Sequence, residues 1–232
     1  MVNGFMMMPR FLKDLASFKM QGGKIDLVLP ALHDLHDTGG TAKGHYLWQD
    51  LICAQWIATE NPIDHFDIGS RLDGFIAHLA SFRQVWQLDI RPNKTNIPNV
   101  KFLQGDAQDN LLAFSNAFDS VSCLHSVEHF GLGRYGDTLQ IDGHEIGVKN
   151  IAGCVKVNGH LYLSFPIGEP STQFNSQRII DPIVPIKLLS NFELIDFVII
   201  PWVDPPIYGT RPQDVELGDE GNAGLYKFRR IN

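Results

Sequence analysis

His65-Phe66-Asp67-Ile68-Gly69-Ser70-Arg71 is the stretch that decides the fold of this chain. Its apolar residues predict a short buried strand, and the acidic residue followed by glycine predicts a tight turn at the strand's end. A helix-like segment follows, and Leu88-Asp89-Ile90-Arg91 then ends a second apolar run. Because ligands of open α/β sheets bind beyond the carboxyl ends of parallel strands, the two segments predict a nucleoside site in which Asp89 accepts hydrogen bonds from two ribose hydroxyls.

Strand-like and helix-like segments alternate along the rest of the chain, which predicts an α/β fold: a Rossmann-like, mostly parallel sheet of seven strands with helices on both faces. The last two apolar runs lack a long helix-like segment between them, so the final strand is expected to be antiparallel. A helical or lid extension is expected over residues 1–60 and the α/β domain over residues 61–232. The strands are expected at residues 66–69, 85–89, 100–104, 118–124, 160–165, 192–200 and 224–228, and the helices at 43–60, 74–82, 145–157 and 183–189.

The composition argues against several classes of protein. A chain of 232 residues, 44% hydrophobic and 19% charged, is long enough to form one substantial core. Its net charge of −7 argues against nucleic acid as a partner, because no basic stripe is present to neutralise phosphates. The chain contains no apolar run of about eighteen residues, so no membrane span is expected. The widely spaced Cys53, Cys123 and Cys154 favour a reducing cytoplasm over a disulfide framework.

Three acidic residues follow three successive predicted strands: Asp67, Asp89, and Asp106 within Gly105-Asp106-Ala107. Three carboxylates suit a cationic, ribose-bearing cofactor and repel a pyrophosphate. This pattern resembles the class I S-adenosylmethionine-dependent methyltransferases, in which the first acid faces the methionine part of the cofactor, the second the ribose and the third the adenine. The resemblance implies that S-adenosyl-L-methionine is bound by Asp67, Gly69, Ser70, Arg71, Asp89, Ile90, Gly105, Asp106 and Ala107.

The resemblance extends over roughly residues 64–166. Residues 118–129 are similar to the fourth strand and following segment of those enzymes, and residues 155–164 to their turn into the fifth strand. A closer resemblance is to an uncharacterised methyltransferase-like family of unknown function, marked by the signatures DIGSR-DGF, HFGLGRYGD and PIG-FN-R. One departure is Arg71, which replaces the second glycine of the motif. Its side chain either crowds the cofactor or pairs with the cofactor's carboxylate. If Arg71 crowds the cofactor, an alternative function is favoured. The protein would then be catalytically degenerate and would bind the nucleoside, or a partner protein, without catalysis.

A second glycine pattern, GxGxxG, occurs at Gly131, Gly133 and Gly136. Alone it would indicate an NAD-dependent oxidoreductase. However, it does not directly follow a predicted strand, and no ribose-binding acid follows at the required distance. We expect a glycine-rich turn at the mouth of the site instead.

His125, Glu128 and His129 follow the fourth predicted strand at helical spacing, so their side chains are expected to share one face. One histidine can act as general base for an alcohol acceptor. Alternatively, the three residues bind a divalent cation, as implied by the similar Glu-x-x-Glu-His run of quinone-biosynthesis O-methyltransferases. In the third interpretation, Glu128 and His129 bond to neighbouring backbone. Arg134 and Tyr135 are expected to close the rim of the site.

The acceptor is expected to be a small polar molecule, such as a sugar or a glycan precursor, methylated on oxygen. Asn175 and Arg178 follow the fifth strand, where they can recognise hydroxyl or carboxylate groups. The polar loop at residues 33–37 is interpreted as a solvated loop or lid, although a metal site is conceivable there. His45 and Tyr46 are expected either to close over the cofactor or to pack against the sheet.

Overall fold

The computed structural model describes residues 4–34, 39–40, 42–218 and 221–232. The chain forms two compact units, Met1–Ala42 and Lys43–Asn232. In the first unit, a 3-10 turn over Gly4–Met7 leads into helix α1 (Met8–Met20), none of whose residues is buried. In the loop of residues 33–37, His33 and Asp34 are exposed, whereas residues 35–37 lie outside the described residues.

The second unit is built on an eight-stranded sheet in the order β3-β2-β1-β4-β5-β10-β8-β9. A separate hairpin is formed by β6 and β7. In chain order the strands are β1 (Asp64–Ile68), β2 (Gln84–Asp89), β3 (Val100–Gln104), β4 (Phe118–Leu124), β5 (Val155–Ile167), β6 (Ser171–Gln173), β7 (Gln177–Ile179), β8 (Phe192–Pro201), β9 (Ile207–Tyr208) and β10 (Asn222–Arg230).

The predicted number of seven sheet strands is wrong, because the described residues contain an eighth. The short β9 pairs antiparallel with β8 at the sheet edge, in a segment for which the sequence predicted no strand. The parallel arrangement is confirmed for β1 to β5. The last strand, β10, is antiparallel to both neighbours, β5 and β8, as predicted.

Helices cover both faces of this sheet. One face packs against α2 (His45–Glu60) and α3 (Ala77–Ala80), which is preceded by a π-helical turn over Leu72–Ile76. The other face packs against α4 (Gly143–Gly153) and α5 (Val184–Leu188). Helix α3 is shorter than predicted because Gly74 has non-helical backbone angles.

Helix α2 contributes buried residues, including Ile52, Cys53 and Ile57, to the core of the second unit. Helix α2 thus belongs to the compact unit Lys43–Asn232, and the domain boundary expected at residue 60 stays a prediction. Among the described residues, no helix has the length and apolarity needed to cross a membrane. Cys53, Cys123 and Cys154 are unpaired and buried.

A buried polar chain links β1 to β4. His65 is fully buried, with Nδ1 at 2.7 Å from Ser120 Oγ and Nε2 at 2.7 Å from Ser122 Oγ. Ser122 donates its only hydroxyl proton to Asp67 Oδ2 at 2.5 Å. His65 Nε2 must therefore donate to Ser122, and Nδ1 accepts from Ser120, which defines a neutral imidazole. Burial lowers the pKa of His65 to about 3.

We predict that this neutral histidine makes the protein less stable as the pH falls. The lowered pKa in the folded state means that between about pH 6.5 and pH 3 the unfolded chain binds a proton at His65 that the folded chain does not. The stabilisation is complete above pH 6.5 and is lost on acidification, by up to about 1.4 kcal/mol per pH unit. Urea unfolding of wild type and of His65→Gln at pH 7 and pH 5 measures this.

The His65→Gln side chain keeps a donor and an acceptor but cannot titrate in this range. We expect this variant to lose less of its free energy of unfolding than wild type between the two pH values. Equal losses in both proteins would contradict the assignment of a neutral, buried His65.

Candidate active site

The turn after β1 is held by the buried carboxylate of Asp67. Its oxygens accept hydrogen bonds from Ser70 N at 3.0 Å, Ser70 Oγ at 2.7 Å and Ser122 Oγ. Burial raises the pKa of Asp67 to about 6, although these bonds oppose the shift. Through these hydrogen bonds Asp67 holds the turn in place. It lines neither of the two cavities described below.

Gly69 allows the chain to turn where two cavities meet. Its φ is +74°, and its N–H donates to Leu88 O at 2.9 Å. An added Cβ would stand 2.2 Å from Ser126 Oγ, so no larger residue fits without displacing Ser126. This turn brings backbone to the edge at which the parallel strands end.

A small cavity of about 50 Å³ lies at the carboxyl ends of β1 to β3. Six of the nine residues predicted to bind a cofactor line it: Gly69, Asp89, Ile90, Gly105, Asp106 and Ala107. The two carboxylates are thus brought together at one sheet edge, because the parallel strands β2 and β3 end side by side.

Asp89 is held in place by Arg91. The guanidinium donates to both carboxylate oxygens, at 2.9 Å and 2.7 Å, and the Arg91 N–H adds a third bond at 2.8 Å. The same guanidinium lies 4.7 Å from the centre of the Tyr135 ring. Asp106 instead accepts the Gln108 N–H at 2.9 Å. Arg91 and Tyr135 form a wall that also borders a second cavity.

This large cavity has a volume of about 510 Å³ and shares Gly69, Arg91, His125, His129 and Tyr135 with the small one. Its walls come from α2, the turn after β1, the end of β4 and the loop of residues 131–137, called the glycine-rich loop below. The remaining predicted site residues that line it are Ser70, Arg71, Glu128 and Arg134.

His125 and Glu128 form a hydrogen-bonded pair in the wall of the large cavity. His125 Nδ1 lies 2.9 Å from Glu128 Oε1. Because a carboxylate only accepts, Nδ1 carries a proton, and in the neutral form of the ring Nε2 has the free lone pair. His125 Nε2 and Glu128 Oε2 are buried and have no hydrogen-bond partner in the described part of the chain. Unsatisfied buried polar atoms of this kind indicate a place for a ligand or water.

The expected helical face is not observed at this segment. Val127–His129 form a single 3-10 turn, and His125 precedes it with a left-handed φ of +48°. The His125 N–H donates to Ser164 O on β5 at 2.7 Å, which fixes the reversal of the chain. The side chains converge because of this reversal and not because of helical periodicity.

His129 faces the backbone of the β6–β7 hairpin. Its Nδ1 lies 2.6 Å from Ser176 O, which also accepts a bond from Arg134 at 3.1 Å. Burial lowers the pKa of His129. The divalent-cation hypothesis is not supported, because no group of three potential metal ligands occurs among the described residues.

Two residues at the start of α2 cover His125. The His45 ring stacks on it at 5.2 Å and 7°, and the Tyr46 ring lies at 5.3 Å. His45 Nε2 bonds to Gly221 O at 2.8 Å, and burial lowers the pKa of His45 to about 4. Both residues therefore border the large cavity beside the end of β4.

Asp50 and Gln49 also line this cavity, and sequence reasoning missed both. Asp50 is 6% exposed, and burial raises its pKa to about 7. A usable signal was present, because polar residues one helical turn apart, His45 and Gln49, lie on the otherwise apolar buried face of α2. Gln177 and Trp202 are further lining residues that the sequence did not single out.

The predicted substrate residues Asn175 and Arg178 do not line either cavity within the described residues. Arg178 is 6% exposed and donates to backbone carbonyls of Phe130, Gln140 and Ile141, which fixes the glycine-rich loop. Asn175 is exposed at the left-handed turn of the β6–β7 hairpin, with φ +61°. Gln177, between them in sequence, lines the large cavity, and a substrate role for Asn175 and Arg178 stays a prediction.

The GxGxxG segment is a turn wrapped around Asp137. This carboxylate accepts the N–H groups of Gly131 at 2.9 Å, Gly133 at 3.0 Å and Tyr135 at 3.1 Å. A pyrophosphate would need such N–H groups, so the segment is already occupied by the chain's own carboxylate. The arrangement agrees with a turn at the cavity mouth and argues against a dinucleotide-binding loop.

The family model described as "Caenorhabditis protein of unknown function, DUF268" matches residues 85–199, just under half of the chain. This range contains nearly all of β2, all of β3 to β7, the His125–Glu128 pair and the glycine-rich loop. A search of curated proteins found no match.

Solved structures similar to this chain are methyltransferases. The N-methyltransferase NodS from Bradyrhizobium japonicum, in complex with S-adenosyl-L-homocysteine, has a TM-score of 0.53 and 12% identity, covering 94% of this chain and 98% of its own. The 1,6-didemethyltoxoflavin-N1-methyltransferase of Burkholderia thailandensis has a TM-score of 0.56 and 12% identity, covering 97% and 89%. A TehB-like enzyme from Corynebacterium glutamicum has a TM-score of 0.51 and 13% identity, covering 96% and 97%.

These identities are low, so the similarity concerns the backbone and not the individual site residues. What the chains share is the backbone arrangement of the sheet, in which the antiparallel β10 lies between β5 and β8. The chain therefore has the mixed α/β, Rossmann-like fold of the class I S-adenosylmethionine-dependent methyltransferases.

Proposed function

We propose that this protein is an S-adenosylmethionine-dependent methyltransferase that methylates an oxygen of a small polar acceptor, such as a sugar or a glycan precursor. The observation that carries this proposal is the pair of adjoining cavities at one sheet edge. Asp89 lines the small cavity, the His125–Glu128 pair lines the large one, and Gly69 borders both.

The donor set of the small cavity fits an adenosine. Asp89 offers carboxylate oxygens for ribose hydroxyls, Asp106 offers an acceptor for the adenine amino group, and Ile90 offers an apolar surface. The side chain of Arg91, which is half exposed, is bonded to the Asp89 carboxylate. It must move away before a ribose can bind to that carboxylate. S-adenosylmethionine would supply an electrophilic methyl group on a sulfonium beside the large cavity.

His125 is the proposed general base. Its Nε2 lone pair takes the proton of an acceptor hydroxyl, while Glu128 accepts the Nδ1–H bond at 2.9 Å and stabilises the resulting imidazolium. His45 and Tyr46 cover the imidazole and limit the access of water.

The lining of the large cavity favours a hydroxyl-rich acceptor. Gln49 and Gln177 provide amide donors and acceptors, Arg134 provides a cation, and Trp202 provides a flat apolar surface at the edge. Sugars present this combination of hydroxyl groups and apolar ring faces. A general base at His125 also favours an alcohol acceptor, because a hydroxyl must lose its proton to become a good nucleophile, whereas a neutral amine attacks without prior deprotonation.

Calorimetric titration of the protein with S-adenosylmethionine, S-adenosylhomocysteine and NAD tests the proposal. We expect binding of both sulfur ligands and none of NAD. Binding of NAD alone would favour an oxidoreductase, and binding of the sulfur ligands without turnover on any acceptor would favour a catalytically degenerate protein.

Replacement of Asp89 tests the nucleoside site. We expect Asp89→Ala to weaken S-adenosylhomocysteine binding by about 1.5–3 kcal/mol, because hydrogen bonds to the charged carboxylate are lost. Calorimetry measures this, with Asp109→Ala as the control, since Asp109 is exposed. A folded Asp89→Ala variant with wild-type affinity would move the nucleoside to another site.

Replacement of His125 tests the proposed base. We expect His125→Gln to lower kcat by about 10²- to 10⁴-fold, the usual contribution of general base catalysis, with little change in S-adenosylhomocysteine affinity. Formation of S-adenosylhomocysteine with a panel of sugars and sugar nucleotides is the readout. The exposed His78→Gln serves as the matched control. Wild-type turnover in folded His125→Gln would assign proton removal to another group.

A further inference from the structure

Asp50 places a carboxyl group in the wall of the large cavity without a cationic partner. Its contacts are neutral: the Gln49 amide at 3.2 Å and the Phe75 backbone N–H. Among the residues that the structure describes, Asp50 forms no ion pair. A buried carboxylate without a cation is costly, so the group is either protonated or completed by a cation from a ligand.

The position of Asp50 is fixed by the turn after β1. An added Cβ at Gly74 would stand 2.6 Å from Asp50 Oδ2, so the carboxyl group lies directly against this backbone. Burial raises its pKa to about 7, which means that a ligand cation can draw it into the charged form near neutral pH.

Arg71 brings a positive charge to the same part of the cavity. Its guanidinium lies 5.4 Å from the Tyr46 ring centre, and Tyr46 precedes Asp50 by one turn on the same side of α2. Its present partner is Asp73, and the side chains of this pair are 59% and 72% exposed. Exposed ion pairs contribute little to stability, so Arg71 can exchange this partner for a ligand carboxylate.

We propose that Asp50 and Arg71 bind the two charges of an α-amino-acid group, Asp50 the ammonium and Arg71 the carboxylate. This inference rests on the proposed function, and it assigns the group to the amino-acid end of S-adenosylmethionine. Gly69 lies between Asp89 in the small cavity and the turn that carries Arg71. A ligand with its ribose at Asp89 therefore extends past Gly69 toward both charged side chains.

The test compares two ligands that differ only at this end of the molecule. S-adenosylhomocysteine carries the amino-acid group, whereas 5′-methylthioadenosine keeps the adenosine and the sulfur but lacks it. Calorimetry of wild type, Asp50→Asn and Arg71→Gln gives both affinities for each protein. We expect each variant to weaken S-adenosylhomocysteine binding at least about tenfold, as for the loss of a hydrogen bond to a charged group, and to leave 5′-methylthioadenosine binding unchanged.

Asp73→Asn is the matched control, because it removes a carboxylate from the same turn at an exposed position. We expect its affinity for S-adenosylhomocysteine to stay equal to wild type or to rise, since Arg71 is released. Retained binding of 5′-methylthioadenosine shows that a variant is folded.

Equal losses for both ligands, or no loss in either variant, would overturn the inference and leave the proposed function standing. Equal affinity of the wild-type protein for the two ligands would also overturn the inference without affecting the proposed function. Asp50 and Arg71 would then be explained by an amino-acid group on the acceptor. If wild type bound neither ligand, the proposed function would fail first and this inference with it.

Discussion

The hydrogen-bonded chain from His65 through Ser122 to Asp67 and Ser70 is the constraint on which the site depends. It runs inside the sheet from β1 to β4 and ends in the turn that carries Gly69. Each member has a defined donor or acceptor role, and both oxygens of Asp67 accept hydrogen bonds from within the protein. This series of hydrogen bonds therefore fixes the position of the turn. Gly69 of that turn borders both cavities.

The end of β4 is the second determinant of the site. His125 leaves the strand in a left-handed conformation, and its N–H is taken by Ser164 on the adjacent β5. This reversal directs its side chain toward Glu128, while α2 adds His45 and Tyr46 above the ring. A strained residue with unsatisfied polar atoms beside a cavity is typical of a functional position.

Two ion pairs lie around the two cavities, together with Asp50, which has no ion-pair partner among the described residues, and these charged groups differ in how firmly they are held. Asp89 is only 10% exposed and bonded by Arg91 through three hydrogen bonds, whereas Arg71 and Asp73 are paired in solvent. Asp50 has only neutral partners. The described residues thus supply no cation to Asp50, in contrast to Asp73 and Asp89.

The amino-acid sequence was sufficient for the parallel strands and for the acids that follow them. Short apolar runs bounded by turn residues specify β2, β3 and β4 locally, and parallel pairing of neighbours then brings Asp89 and Asp106 to one edge. The antiparallel final strand followed from the absence of a crossover helix. The two-residue β9 was not predicted, because its pairing depends on β8 and not on its own composition.

Side-chain partners depended on contacts between residues distant in sequence, which no local pattern encodes. Arg178 bonds to carbonyls about forty residues away, and Asp50 enters the site only because α2 packs beside the turn after β1. The convergence of His125 and Glu128 required a left-handed residue where helical spacing predicted a helix. Local propensities therefore determined the strands and their ends, whereas the packing of α2, β5 and the glycine-rich loop determined which polar groups face the cavities.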